Sequence, residues 1–328
     1  MRRAVEGSTP LHVVVGAGGQ VGRALVAELC ARGLRVRAVA RGLRAADFPG
    51  AEVANGDIGD PDQARRLCAG AAVVYGCLGA PQHAWAAVLP RLVRGLLAGA
   101  SASGARLVFA DNLYAYGPQA EPLVETMPMT SFGRKPRLRA ELSALLLGAH
   151  AAGAARVVVA RAADFYGPGV ETAMLGAPLL RRVIAGERAW VMGDVDAPHT
   201  FTYVPDLARA LVELGGADDA EGGVWHVPSA PAVSLRAVLG KLAALAGAEA
   251  RLATVPSWAL RAASWVSPLA ADLAEMSFQW DRPYRVSHAK FAARFGVRPT
   301  PLDDGLRATL AWLRAAPPER AEGRVPAT

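Results

Sequence analysis

Short runs of consecutive apolar residues alternate along this chain with longer stretches whose apolar positions recur every three or four residues. The first run is Leu11-His12-Val13-Val14-Val15, and others lie at 36–40, 52–54, 72–77, 106–110, 156–160 and 223–227. Val-rich runs with few polar interruptions belong to strands covered on both faces, and the helical stretches between them are the crossovers a parallel sheet requires. Helices are predicted over 23–33, about 85–102 and about 137–152. The expected fold is α/β, a doubly wound parallel sheet spanning 10–170, with 203–228 returning to it. From Gly169 onward the pattern is irregular, with helices near 176–186, 205–215, 234–247 and 303–315. That predicts a smaller C-terminal lobe from 171–202 and 229–315, expected to bind substrate. The stretch 316–328, opening Ala316-Pro317-Pro318-Glu319, is expected to be a flexible tail.

The first strand runs straight into Gly16-Ala17-Gly18-Gly19-Gln20-Val21-Gly22, and a helix ending at Gly33 follows. Strand, glycine-rich turn and helix make a Rossmann-type dinucleotide site. Glycines let the backbone approach a pyrophosphate, and the helix N-terminus faces its negative charge. An isolated glycine pattern means little; the strand before it and the helix after it favour the dinucleotide over an ordinary turn.

Composition removes several other classes. With 328 residues, 52% hydrophobic and 20% charged, the chain can bury a large core and is no disordered polyampholyte. A net charge of +7 would suit a polyanion, yet the only lysines are Lys135, Lys241 and Lys290. The arginines are scattered without a basic run, so nucleic acid is not an expected partner. Cys30, Cys68 and Cys77 have unrelated spacings and imply no disulfide framework, which points to a reducing, cytoplasmic setting. No uncharged apolar run reaches the roughly 18 residues of a membrane span, and no signal segment is evident. The histidines show no ligand spacing, so no metal is expected.

Six landmarks, in order, resemble the short-chain dehydrogenase/reductase superfamily in its extended, epimerase/dehydratase-like branch, across about residues 11 to 314. They are the glycine turn; Asp57-Ile58; Tyr75-Gly76-Cys77-Leu78-Gly79-Ala80; Asp111-Asn112-Leu113-Tyr114-Ala115-Tyr116-Gly117-Pro118; Arg161-Ala162-Ala163-Asp164-Phe165-Tyr166-Gly167-Pro168; and Phe201-Thr202-Tyr203-Val204-Pro205-Asp206. The resemblance implies that Gly16, Gly18, Gly19, Gln20, Val21 and Gly22 hold the pyrophosphate and that Asp57 and Ile58 hold the adenine. It implies that Leu78 and Gly79 pass the nicotinamide ribose and that Tyr166 lies beside the nicotinamide.

The departures bear on chemistry. The branch carries Tyr-x-x-x-Lys at the start of the helix after the fifth strand, the tyrosine serving as acid or base and the lysine lowering its pKa. Here the segment is Thr130-Ser131-Phe132-Gly133-Arg134-Lys135-Pro136, so Phe132 stands at the tyrosine and Pro136 at the lysine. Lys135 either reaches the ribose or substrate or is a solvated first-turn lysine. Asn112 replaces the usual Ser or Thr and still offers a hydrogen-bond donor to a carbonyl. Asp111 either faces the ligand or caps its turn. Asp164 replaces an asparagine and is a candidate proton carrier if buried. Tyr114 and Tyr116 are candidates for substrate contact and proton transfer, or pack under the loop. His199 stands where nucleotide-sugar enzymes of the branch carry an arginine, which leaves a diphosphate clamp in doubt. Trp258, Trp265, Trp280 and Trp312, with Phe278 and Tyr284, either line an apolar pocket or pack the C-terminal lobe.

No acid ends the second strand, where NAD enzymes hold the ribose hydroxyls. Arg41, with Arg37 or Arg44, suits a 2′-phosphate instead, so NADP is expected with NAD as the alternative. The reading is an NADP-dependent oxidoreductase acting on a small non-nucleotide carbonyl or alcohol, with Asn112, Tyr116, Lys135 and Asp164 as catalytic candidates and Asn112, Tyr114 and His199 meeting substrate. A redox-neutral epimerase, dehydratase or isomerase and a non-catalytic NADP(H) sensor or scaffold are the alternatives. The helix through Leu142 to Ala149, apolar nearly all round, makes a homodimer the expected assembly.

Overall fold

The apolar runs form the strands they predict, and their order places the glycine turn at the centre of the sheet. In the computed structural model, which describes residues 9–315, the first six strands are β1 (Leu11–Val15), β2 (Arg35–Ala40), β3 (Glu52–Asn55), β4 (Ala71–Gly76), β5 (Arg106–Asn112) and β6 (Arg156–Ala162). With the later strand Val224–His226 they make a seven-stranded sheet, in the order Val224–His226, β6, β5, β4, β1, β2, β3. Every pairing in it is parallel. The order reverses between β1 and β4, the switch point at which doubly wound sheets open a crevice beyond their strand ends.

Helices α1 (Gln20–Ala31), α2 (Pro61–Leu67), α3 (Trp85–Ser103) and α4 (Lys135–Ala151) connect the strands. One face of the sheet packs with α1 around Leu25, Leu29, Val36 and Tyr75, the other with α3 and α4 around Val13, Leu89, Leu107 and Leu146. Both cores hold strand residues that are fully buried, which is why the strands read as continuous rather than alternating runs.

Beyond β6 come α5 (Ala177–Ile184), α6 (Val204–Gly216) and α7 (Leu235–Ala246), and a helix Leu302–Ala315 closes the described chain. A third core joins Leu180, Val191, Phe201, Leu239 and Leu310. Two features escape the sequence pattern. Strand Arg188–Met192 pairs in parallel with Arg251–Val255, and helices Ser257–Ala263 and Pro268–Met276 follow. A fourth, smaller cluster of Leu113, Tyr116, Leu123, Ala163, Met276, Phe278 and Tyr284 knits the ends of β5 and β6 to this later segment. The tail expected at 316–328 lies outside the described residues.

Candidate active site

At the switch point the turn after β1 meets the loop after β4. Gly16 has φ +83°, and a Cβ there would lie 2.2 Å from the Cys77 carbonyl oxygen. A Cβ on Gly22 would lie 2.2 Å from the Gly16 oxygen. Packing alone demands these two glycines. Gly18 and Gly19 differ: their nearest obstacles are the tip of Leu43 at 3.2 Å and the Gly16 oxygen at 3.4 Å. The fold does not need them bare, so their missing side chains leave a cradle. Gly19 starts α1 with no side-chain cap and no acid in the first turn, leaving the N–H groups of Gln20, Val21 and Gly22 to an outside anion. The donors and the open backbone fit a pyrophosphate. The Gln20 side chain has another task, accepting from the Glu171 and Thr172 N–H groups at 3.3 and 3.4 Å and tying α1 to the loop after residue 166.

The three arginines near the end of β2 separate cleanly. Arg37 pairs with Glu52 at 2.7 Å and donates to the Leu67 and Ala69 carbonyls. Arg44 pairs with Asp47 at 2.8 Å. Arg41 is exposed and has no ion pair among the described residues, and its charge reaches the Asp57 carboxyl. Its loop is held by Asn55, whose Oδ1 accepts from the Gly42 and Leu43 N–H groups. Asp57 is half-buried, 2.7 Å from Arg91. Burial opposes its ionisation, but hydrogen bonds from Arg91 and the Gly59 N–H outweigh that and hold its carboxyl below the usual range. Ile58 is buried in the core, and its carbonyl would lie 1.7 Å from a Cβ on Gly95, so α3 must present a glycine there. Leu78 is half-buried and Gly79 exposed at the end of β4. Burial pushes the Cys77 thiol up to about 12, leaving it a small apolar residue.

Beyond β5, Asn112 Oδ1 accepts the Tyr114 N–H at 3.1 Å, fixing the turn and leaving the amide Nδ2 as a donor. The turn bond is made by Asn112 and not by Asp111. Asp111 is buried between Arg139 on α4, at 3.2 Å, and Arg161 on β6, at 3.5 Å. Tyr116, a proton-transfer candidate, is fully buried: its hydroxyl meets His226 Nε2 at 2.8 Å, and the Arg161 guanidinium lies over its ring. Tyr166, expected beside the nicotinamide, packs into the C-terminal lobe, its hydroxyl against Gly305 and its ring 5.3 Å from Tyr203. Both side chains are enclosed by the protein. Tyr114 is half-buried, stacked on Trp85 with 5.9 Å between ring centres.

Lys135 is not the solvated first-turn lysine. It begins α4 but is buried, with Nζ 3.1 Å from Asp272 Oδ1 and 3.0 Å from Gln82 Oε1. Glu275 accepts the N–H groups of Arg134 and Lys135, capping the helix from the C-terminal lobe. Phe132 precedes the helix and packs edge-on to Phe278 at 5.7 Å, a phenyl ring with no proton to exchange where the branch carries a phenol.

Two candidates separated in sequence come together. Asp164 Oδ2 lies 2.9 Å from His199 Nε2, close enough for an ion pair but off-line for a hydrogen bond. Trp280 Nε1 donates to the same carboxylate oxygen at 3.4 Å. The His199 ring is sandwiched between Phe201, at 4.6 Å, and Tyr284, at 5.2 Å. The Tyr284 hydroxyl is buried without a partner, and burial with the nearby Asp164 charge pushes its phenol well up. Sequence reasoning did not assign roles to Tyr284, Trp280, Asp272 or Arg139. The aromatic enrichment of the C-terminal third was the one signal for the first two.

The sequence profile of the NAD dependent epimerase/dehydratase family matches residues 12–227. No curated protein matches the chain. Solved structures share its fold at low identity. A dTDP-glucose 4,6-dehydratase from Bacillus anthracis in complex with NAD superimposes with a TM-score of 0.77 at 15% identity, over 93% of this chain and 97% of that one. Epimerase Mth375 from Methanothermobacter thermautotrophicus gives 0.77 at 18%, over 94% and 93%. MoeE5 in complex with UDP-glucose and NAD gives 0.72 at 22%, over 93% and 99%.

Proposed function

The chain belongs to the NAD dependent epimerase/dehydratase family, and on that premise we propose that it is an NADP-dependent oxidoreductase acting on a small, non-nucleotide carbonyl or alcohol. The observation that carries the reading is the Asp164–His199 contact at 2.9 Å. It supports an acid–base pair made of these two side chains, and a buried imidazole at the position where nucleotide-sugar enzymes of the branch carry an arginine argues against a sugar nucleotide's diphosphate.

The bare backbone at Gly18 and Gly19 and the uncapped start of α1 would hold the pyrophosphate, with Arg41 on the 2′-phosphate and Asp57 toward the adenine. NAD remains the alternative cofactor, as bound in the structural neighbours from Bacillus anthracis and MoeE5. A nicotinamide dinucleotide supplies or accepts the hydride. The protein's part is to hold the substrate oxygen, which Asn112 Nδ2 would do by donating to it, and to manage one proton through Asp164 and His199.

The family itself favours a second reading, a redox-neutral epimerase or dehydratase that returns its hydride. Titration with NADPH and NADH, then a panel of small aldehydes and ketones followed at the nicotinamide absorbance, separates the two. NADPH binding with steady oxidation supports the reductase; binding without net oxidation removes it in favour of the redox-neutral reading. Asn112→Ala should lower turnover by about 100-fold with cofactor affinity kept, and unchanged turnover removes Asn112 from the mechanism.

A further inference from the structure

Phe132 cannot carry a proton, and one of the chain's phenols differs from the rest in its exposure. The sequence holds six tyrosines, all within the described residues. Tyr75, Tyr116, Tyr166, Tyr203 and Tyr284 are buried, with exposures of 9% or less. Tyr114 alone is partly open to solvent. It leaves the carboxyl end of β5 two positions after Asn112, whose side chain fixes its backbone. Its ring lies on Trp85, against which the Arg139 guanidinium also packs, 4.3 Å from that ring's centre. Gln279 and the charges of Asp164 and Arg139 act on its hydroxyl.

Resting on the oxidoreductase reading, we propose that Tyr114 is the proton donor that replaces the missing helix tyrosine, with Arg139 as the buried cation on α4 beside it. Its position ties together residues that otherwise have separate explanations: Asn112 to hold the substrate oxygen, Tyr114 to protonate it, and Asp164–His199 to restore the phenol. In the reducing direction a C–H bond forms at the carbonyl carbon with the electron pair of a hydride from the reduced dinucleotide. The C=O π pair moves to oxygen, an O–H bond forms there, and the Tyr114 O–H bond breaks. The phenolate regains a proton through Asp164 and His199, which draw on solvent. Burial and the Asp164 charge push the Tyr114 phenol up, against the pull of Arg139. The group therefore stays protonated through the neutral range, the state a donor needs and a resting base does not.

The test compares wild-type protein with Tyr114→Phe and with Tyr203→Phe as the control. Carbonyl-dependent NADPH oxidation should fall by about 100-fold or more in Tyr114→Phe, with NADPH affinity unchanged, and should persist in Tyr203→Phe. Circular dichroism like the wild type's and the unchanged NADPH affinity show that Tyr114→Phe is folded when its turnover is read. Full turnover by Tyr114→Phe overturns the assignment while leaving the oxidoreductase reading intact. A wild-type protein that binds NADPH but oxidises it with none of the carbonyls tested removes both.

Discussion

Lys135 on the first turn of α4 lies 3.1 Å from Asp272 on the helix Pro268–Met276, and both side chains are largely shielded from water. The ammonium that the family resemblance could assign to a ribose forms a tie between the sheet and the segment that follows Trp265. With Glu275 capping α4 from the same helix, the contact fixes where that helix starts.

Removing the lysine leaves Asp272 without its charge partner. Lys135→Ala should lower stability by about 3 kcal/mol, the scale for breaking a shielded ion pair, seen in urea unfolding. The paired change Lys135→Met with Asp272→Leu should recover much of it. If Lys135 instead serves the ribose, the single variant would lose dinucleotide affinity with little loss of stability.

The glycine turn should divide under substitution. Gly16→Ala places a Cβ against the Cys77 carbonyl at a positive φ, so it should unfold or fail to express. Gly19→Ala meets nothing closer than 3.4 Å. It should fold with circular dichroism like the wild type and lose NADPH affinity by at least about tenfold, because the methyl occupies the space a pyrophosphate needs. Equal affinity in the folded variant would move the cofactor away from this turn.

That contrast also marks how far the sequence could be read. Val13, Val14, Val108 and Val157 to Val159 are buried on a sheet covered by helices, so their runs betray strands without any knowledge of partners. The strand Arg188–Met192 is equally regular, but it buries only Ala189 and Val191 and pairs with a segment far along the chain. Nothing local distinguishes it from a loop. The same distance hides the site. Asp164 and His199 each stand out by departing from a family motif, yet their contact depends on how two separate strands end. Lys135 could not be resolved from sequence because Asp272 has no motif at all. Tyr116 and Tyr166 show the opposite case: they sit in conspicuous motifs, yet the structure encloses both side chains.

Acid should destabilise the fold through His226. Burial lowers its pKa from 6.5 to about 4, and its ring is held between the Tyr116 hydroxyl and the Ser287 carbonyl. The unfolded chain binds a proton near 6.5 that the folded one refuses until about 4, so stability is full above 6.5 and declines as pH falls through that window. The group's share approaches about 3 kcal/mol at the lower end. His226→Gln should be less stable at pH 7 but should show a shallower slope of unfolding free energy between pH 6.5 and 4. An unchanged slope would assign the acid sensitivity to other groups.

The proposed preference for NADP depends on one side chain, Arg41. Arg37 and Arg44 are already paired with Glu52 and Asp47, and redirecting either would cost its existing contact. Arg41 has no ion pair to lose among the described residues, and Asn55 holds its loop so that the guanidinium is presented at the end of β2. A charge-assisted contact to a phosphate is worth about 1.5–3 kcal/mol, or roughly 10- to 100-fold in affinity. Arg41→Ala should therefore weaken NADPH binding by that factor while leaving NADH unchanged, measured by fluorescence titration of each. Arg44→Ala should leave the ratio of the two affinities where it was. Equal losses for both dinucleotides in Arg41→Ala would place this arginine away from the 2′-phosphate, and no unpaired cation would then remain among the described residues at the end of β2 to select NADP over NAD.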